Sequence, residues 1–507
     1  MTAAGEPLSD DGFQSPLTVP QRRRAITAVL IIILLGAIDQ TIVGVALPTI
    51  ATQLGGLSLM AWVVSGYLIA STVVTPLYGR FSDLLGRRAV LDFSLLTFLG
   101  ASVLCALAQT MPQLIAARVL QGAAGGGLLI VAQAVVADIV APRERARYQS
   151  YISMVWAFAS VFGPVAGGVL TGWLSWPWIF WINLPIGLAA LWLTGRALRA
   201  LPVPRQRPVI DWWGMVLLVL GLTALLVPIA RVGQGQAWTS GANATALVVA
   251  VLVLAVFCRH QLRTPHPVLP LALLGQRTVL LGNGGMFVCF FLYVALSVLV
   301  PLRLQWVGGL SLGQTALHIL PLTLGIPIGA FAAGRRVART GRVRPPLWLG
   351  VGVVPAGLLA LAWLPVEQAP ASSLAMLLLG AGMGLQMPTA LLMLQQAVAP
   401  HLIGTVTALT GFFRLLGGAV GVAVLGSVTL NLLREHLPPP LLAHGLEGLA
   451  SLSGAGPAQP LGQAIDPAFR QALLWATALS LAGPLLALGL PDTRLHDGGR
   501  HAAPEPA

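Results

Sequence analysis

The sequence predicts an all-α integral membrane protein of fourteen transmembrane helices, built as two six-helix bundles plus two extra central helices. Three observations carry that expectation: the composition, the number and orientation of the apolar runs, and an internal repeat. Of the 507 residues, 56% are hydrophobic and only 9% charged, with mean hydropathy +0.83. Soluble domains carry roughly 25% charged residues, so the solvent of this chain is a bilayer rather than water.

All 29 basic residues are Arg, against 16 acids, for a net charge of +13. In a soluble protein such a surplus would suggest nucleic acid, but no basic stretch is interleaved with base-stacking aromatics in a polar domain. Cys105, Cys258 and Cys289 lie singly in apolar runs, which leaves neither a disulfide framework nor a metal cluster in view. The sequence holds no Walker loop, no His-Glu zinc motif and no sizeable polar domain, so ATP-driven transport and enzyme chemistry are poorly supported. The first residues lack the basic-then-apolar pattern of a signal peptide, and 1–24 read as a cytoplasmic N-terminal tail.

A helix needs about 20 residues to cross roughly 30 Å of hydrocarbon. Apolar runs of that kind lie near 26–48, 59–79, 89–108, 112–139, 148–173, 178–198, 211–231, 243–259, 279–302, 312–334, 346–365, 372–397, 403–432 and 471–490. With the N-terminus inside, 23 of the 29 Arg fall on cytoplasmic segments. Only Arg231, Arg303, Arg434 and Arg470 fall outside, while Arg118 and Arg414 lie within spans. That bias is the positive-inside pattern and places both termini in the cytoplasm. The expected organisation is a six-helix bundle over 25–200, a two-helix insertion over 201–265, a second bundle over 266–490 with an external loop at 433–469, and a cytoplasmic tail from 491 to 507.

The repeat explains the two bundles. Gly79-Arg-Phe-Ser-Asp-Leu-Leu-Gly86-Arg87 after span 2 matches Gly334-Arg-Arg-Val-Ala-Arg-Thr-Gly341-Arg342 after span 10, 255 residues on. Gly163 and Gly167 in span 5 match Gly417 and Gly421 in span 13, and Gly125 and Gly127 in span 4 match Gly380 and Gly382 in span 12. Small residues at such spacing serve helix contact in any membrane protein. Their recurrence in order at an offset of 254–255 residues implies a duplicated six-span unit, the architecture of secondary transporters that rock around a central site.

Asp39 and Arg118 are expected at the same depth, roughly 20 Å above the inner face at 1.5 Å per residue. A charge at mid-membrane costs from about 2.5 kcal/mol upward, so each should have a partner, whether in a static ion pair or in a functional one. Asp83, Arg87, Arg88 and Asp138 fall at the cytoplasmic edge, where opposite charges can form a breakable latch. Ala338 stands at the Asp83 position of the second copy, which should lack one.

These residues resemble the major facilitator superfamily and, within it, the fourteen-span drug:proton antiporters, over about residues 30–490. Leu35-Gly-Ala-Ile-Asp39-Gln-Thr-Ile-Val-Gly-Val-Ala-Leu-Pro48 is similar to that branch's first helix, with Gly44 where the family has Asn. The loop from Gly79 to Arg88, with Asp138, looks like the superfamily's cytoplasmic gate. Arg118-Val-Leu-Gln-Gly122 resembles its proton-coupling motif. Ala159-Ser-Val-Phe-Gly163-Pro164-Val-Ala-Gly167-Gly168 resembles the antiporter motif, with Ala159 for the leading Gly. Trp176-Pro-Trp-Ile-Phe-Trp-Ile-Asn183 and Asp211-Trp-Trp-Gly214 are typical of the branch, although the Trp cluster also suits an interfacial belt.

The resemblance implies a proton-coupled antiporter exporting amphipathic small molecules such as drugs, antibiotics or dyes. Asp39 would carry the proton, Arg118 would modulate it, and the gate would govern opening to the cytoplasm. No cofactor is expected beyond the proton gradient, and the chain should work as a monomer in the cytoplasmic membrane with no nucleic-acid partner. Gln40, Gln121, Gln133, Asn283 and Gln386 are candidate cavity residues or helix-to-helix glue. Arg414 has no acid in spans 9 to 14 to pair with and can bond Gln395, Gln396, backbone carbonyls or an anionic part of a substrate. A symporter or uniporter would share this fold.

Overall fold

The computed structural model describes residues 17–55, 59–140, 142–199, 210–233, 236–265, 267–269, 271–310, 312–366, 369–434 and 459–492. They form α1 (Val19–Leu54), α2 (Met60–Leu85), α3 (Arg87–Ala106), α4 (Met111–Ile139), α5 (Pro142–Trp173), α6 (Trp178–Trp181), α7 (Asn183–Ala197), α8 (Trp212–Gly233), α9 (Gly241–Gln261) and α10 (Ala272–Gly275). After these come α11 (Arg277–Trp306), α12 (Leu312–Thr340), α13 (Arg344–Trp363), α14 (Ala369–Gln396), α15 (Ile403–Arg434), α16 (Gln459–Ser480) and α17 (Ala482–Leu488). Fourteen spans are long and apolar enough to cross a membrane; α6 with α7 makes the sixth and α16 with α17 the last.

Two helices start earlier than hydropathy alone suggests. α1 begins at Val19, inside the expected tail, because Gln21 Oε1 accepts from the Thr18 amide at 3.0 Å and caps the first turn. α16 begins at Gln459, inside the expected external loop 433–469. There Phe469 stacks edge-on against Trp306, and Asp466 accepts from Arg303 Nη2 at 3.0 Å. These contacts reward an amphipathic turn that a search for continuous apolarity passes over. Residues 435–458 of that loop, residues 200–209, and the tails 1–16 and 493–507 lie outside the described residues.

The duplication is visible in which helices touch. In the first half α1 packs on α5 and α7, and α4 packs on α2 and α3. In the second half α11 packs on α15 and α17, and α14 packs on α12 and α13. Across the halves, α5 meets α12 and α2 meets α15, as a two-fold axis along the membrane normal requires. The inserted pair α8 and α9 pack on each other, with α8 lying against α2 and α15.

Glycine makes the closest of these approaches possible. A Cβ on Gly167 would enter the Ile42 carbonyl of α1, and one on Gly421 would enter the Phe291 carbonyl of α11. Gly163 and Gly417 stand one turn earlier on the same faces, against Thr41 and Phe287. Gly168 faces open space and takes no part in this seam. Gly86 and Gly341, the matched loop glycines, both have left-handed backbones, at φ +91° and +64°.

Where α8 meets α9, Asp211 accepts from His260 Nε2 at 2.8 Å, Gln261 Nε2 at 2.7 Å and the Gly214 amide at 2.8 Å. Burial pushes this carboxyl up, but those hydrogen bonds and the attraction of His260 outweigh it and hold Asp211 below the usual carboxylate range. The cluster's stability is therefore present above the ordinary Asp pKa of about 3.9 and is lost as pH falls through the lower folded value. The melting-temperature gap between wild type and Asp211→Ala should persist from pH 8 down to about 5 and close only below about pH 4. A gap that vanishes near neutrality would contradict this account.

The glycine seam makes a second prediction. Gly167→Val should cost about 2 kcal/mol or more through overpacking against backbone, whereas Gly168→Val should stay within about 0.5 kcal/mol. Thermal unfolding in detergent, followed by size-exclusion chromatography, compares the two; equal melting would refute the assigned face.

Candidate functional site

Asp39 and Arg118 meet in the middle of the first bundle, at 0% and 2% side-chain exposure. Arg118 Nη1 donates to Asp39 Oδ2 at 2.8 Å. The other carboxylate oxygen accepts from Gln121 Nε2 and Asn183 Nδ2, each at 2.9 Å. Ser102 Oγ accepts from Gln121 at 2.8 Å and from Asn183 at 3.2 Å. The guanidinium lies 4.3 Å from the Tyr67 ring centroid and 5.9 Å from that of Phe180. A buried carboxylate is thus held by one charge and two amides, and a buried guanidinium by that carboxylate, the Gln121 Oε1 at 2.7 Å, the Val63 carbonyl at 3.4 Å and two aromatic faces.

Beside this network a cavity of about 390 Å³ lies between the halves. Tyr67, Arg118, Gln40 and Gln133 line it from the first bundle, and Phe290, Tyr293 and Arg414 from the second. Its floor is formed where Thr75 and Gly411 meet. Below the floor, toward the α2–α3 loop, Gly79 is in contact with Ala408, and Ser150 Oγ donates to the Ala330 carbonyl at 2.8 Å. The halves are therefore closed on the loop side of the cavity.

The gate residues lie at that closed end. Arg87 bridges two helices, with Nε 2.7 Å from Asp138 Oδ2 and Nη1 bonded to both Asp83 and Ser82. Thr405 on α15 donates to Asp83 Oδ2 at 2.6 Å, which ties the cluster to the opposite half. Arg88 does not join it; its nearest acid is Asp92, at 3.4 Å, one turn further along α3. The helical register turns Arg88 about 100° away from Arg87, which removes it from the cluster.

The cavity candidates divide. Gln40, Gln133 and Arg414 line the central space, and Gln121 belongs to the Asp39 network. Asn283 and Gln386 are not among the lining residues of that space. Asn283 donates to the Val279 carbonyl at 2.8 Å within its own helix, and Gln386 borders a small pocket among α11, α13, α14 and α17. Nor do Gln395 or Gln396 hold Arg414: Gln395 donates to Thr407 at 3.1 Å. Of the helix-5 motif, Gly163 and Gly167 face α1, Gly168 faces open space, and the side chain of Pro164 lies outside the described residues.

The match to known proteins agrees with this arrangement. The profile described as Major Facilitator Superfamily covers residues 29–422. The chain belongs to the major facilitator superfamily. An uncharacterized MFS-type transporter of Mycobacterium tuberculosis is 34% identical over 494 residues, which cover 95% of this chain and 72% of that one. The multidrug transporter protein MdtP of Bacillus subtilis is 33% identical over 441 residues, or 85% and 80% of the two chains. Among solved structures, the proton:xylose symporter XylE aligns with TM-score 0.58 at 15% identity, over 94% of this chain and 97% of that one, which shows the shared fold. This chain is therefore a membrane transporter rather than an enzyme, and the space between its halves is the place such folds bind substrate.

Asn183, Ser102, Tyr67 and Thr405 complete these clusters without standing out in the sequence. Asn183 sits in the Trp-rich run, where the aromatics dominate the signal, and Thr405 needs a contact 322 residues away. Thr405→Val keeps the side chain's shape and removes one hydrogen bond to a charged group, a bond worth about 1.5–3 kcal/mol. The ratio of closed to open molecules should fall about tenfold or more. Spin labels at Leu85 and Leu402 read this by pulsed resonance as a longer second distance. An unchanged distribution would mean that Thr405 does not clamp the gate.

Proposed function

We propose that this transporter is a proton-coupled antiporter that exports amphipathic small molecules from the cytoplasm by alternating access. The observation that carries this reading is Asp39: a carboxylate buried at mid-membrane, held by Arg118, whose guanidinium also borders the central cavity. Rocking that opens the cavity beside Arg118 first to one side and then to the other changes the solvation of the pair, and with it the proton affinity of the carboxylate between states. The amide partners can serve both forms. Turned about its terminal bond, Asn183 offers its carbonyl to the O–H of the protonated acid in place of its N–H₂.

The surplus of Arg on the side bearing the termini supports a cytoplasmic location for that side. The closed gate around Asp83, Arg87 and Asp138 then corresponds to a protein closed to the cytoplasm. The multidrug name of the B. subtilis relative and the aromatic lining of the cavity support amphipathic substrates. In this reading a single chain suffices, and the proton gradient supplies the energy without a cofactor.

The test uses everted membrane vesicles energised by respiration. Addition of a transported dye should alkalinise the lumen as protons leave in exchange. Asp39→Asn should abolish that proton movement and reduce uphill dye accumulation at least tenfold, while dye exchange down its gradient remains. Uphill accumulation equal to wild type would rule out Asp39 as the proton carrier. Dye entry with no alkalinisation in the wild type would favour a uniporter.

A further inference from the structure

Arg414 of α15 faces the central cavity and also lines a second space of about 100 Å³ that runs toward α12 and α14. Gln133, Trp156, Phe290 and Tyr293 border both spaces, so Arg414 stands where they join. Its guanidinium lies 4.2 Å from the centroid of the Phe290 ring, a contact that satisfies one face of the plane and leaves the N–H edge free. Among the described residues no carboxylate pairs with it. The charges at the other end of its half are committed elsewhere, since Asp466 pairs with Arg303 and Arg470.

The acid nearest the cavity is committed as well. Asp39 is fully buried behind Arg118 and accepts from three donors. The lining residues therefore carry one uncompensated guanidinium, Arg414, and no carboxylate, since the charge of Arg118 is neutralised by Asp39. A cationic amphiphile would enter a cavity of its own sign, where the low dielectric magnifies repulsion. A carboxylate would find a planar fork of donors with an aromatic floor beneath it. The combined space is of the size that holds a drug-like molecule.

We propose that Arg414 is the anion-recognition residue of the substrate site, and that the transported class is amphipathic organic acids with an aromatic or alicyclic body. The assignment rests on the export reading, in which the cavity between the halves is the substrate site. The acid group docks on the N–H edge of Arg414, within reach of Gln133. The body lies against Trp156, Phe290 and Tyr293. Gln133 supplies a neutral donor beside the charge, which favours an oxyanion over a halide-like point charge.

Binding and transport are measured separately, so that each claim can fail alone. Full-length protein in lipid nanodiscs is titrated with two xanthene dyes of similar size, anionic carboxyfluorescein and cationic rhodamine 6G. Wild type should bind carboxyfluorescein at least about tenfold tighter, the range expected of a charge-assisted hydrogen bond. Arg414→Gln should weaken carboxyfluorescein at least about tenfold and leave rhodamine 6G within about twofold. Arg414→Lys should recover part of the anion affinity. Equal binding of the two dyes by wild type, or undiminished carboxyfluorescein binding by Arg414→Gln, overturns the proposal. The wild-type comparison stands even if the Gln variant does not fold. Carboxyfluorescein that binds through Arg414 but is not accumulated by everted vesicles would leave the anion site in place and overturn organic acids as the transported class, while export itself stands or falls on the alkalinisation test.

Discussion

A carboxylate in the middle of a membrane protein must be paired, and the first bundle is organised around that requirement. Asp39 on α1 reaches Arg118 and Gln121 on α4 and Asn183 at the start of α7. Through those partners it reaches Ser102 on α3, the Val63 carbonyl and Tyr67 ring on α2, and Phe180 on α6. Removing one member leaves a buried charge or amide without its mate, a far larger penalty than the pair's net contribution to stability. A change in the charge of Asp39 is therefore felt on every one of these helices at once. That is the physical basis on which protonation can bias the position of a whole bundle rather than of one side chain.

Such coupling needs halves that move as units. Glycine seams supply the rigidity: Gly163 and Gly167 bring α5 onto α1, and Gly417 and Gly421 bring α15 onto α11, with backbone against backbone. Between the halves the contacts are of a different kind. At the closed end they are a threonine hydroxyl on Asp83, a serine hydroxyl on a carbonyl, and the small residues Gly79 and Ala408. A few hydrogen bonds worth about 1–3 kcal/mol each can be broken and remade, whereas a seam of interlocked backbones cannot.

Much of this was legible before any coordinates, because a bilayer restricts what a sequence can mean. Spans follow from continuous apolarity, and the two-bundle plan from matched glycines. The Asp39–Arg118 pair follows from depth alone, since both residues are costly in hydrocarbon and lie at one height. The residues that escaped are neutral. Asn183, Ser102 and Thr405 carry no charge to betray them, and each acts through a helix remote in sequence. Hydropathy also has no means of telling a cavity-facing amide from one facing its own helix. That is why Gln133 lines the central space while Asn283 bonds back to Val279. Arg87 and Arg88 are adjacent in the loop motif, yet only the first reaches Asp138; one residue of helical register decides it.

The two halves share a backbone plan but not a distribution of charge. The first holds its deep charges as a closed network, in which Asp39 is saturated and Arg118 is the only charged member that reaches the cavity. The second holds Arg414, poised on an aromatic ring with its donors toward open space. In the proposed exporter, proton and substrate therefore occupy opposite walls and do not compete for one group. Coupling between them must then pass through the rocking of the halves, because each ligand changes the energy of the same motion from its own side. A duplicated fold is suited to this: symmetry supplies the motion, and the loss of symmetry in the side chains assigns each wall its own ligand.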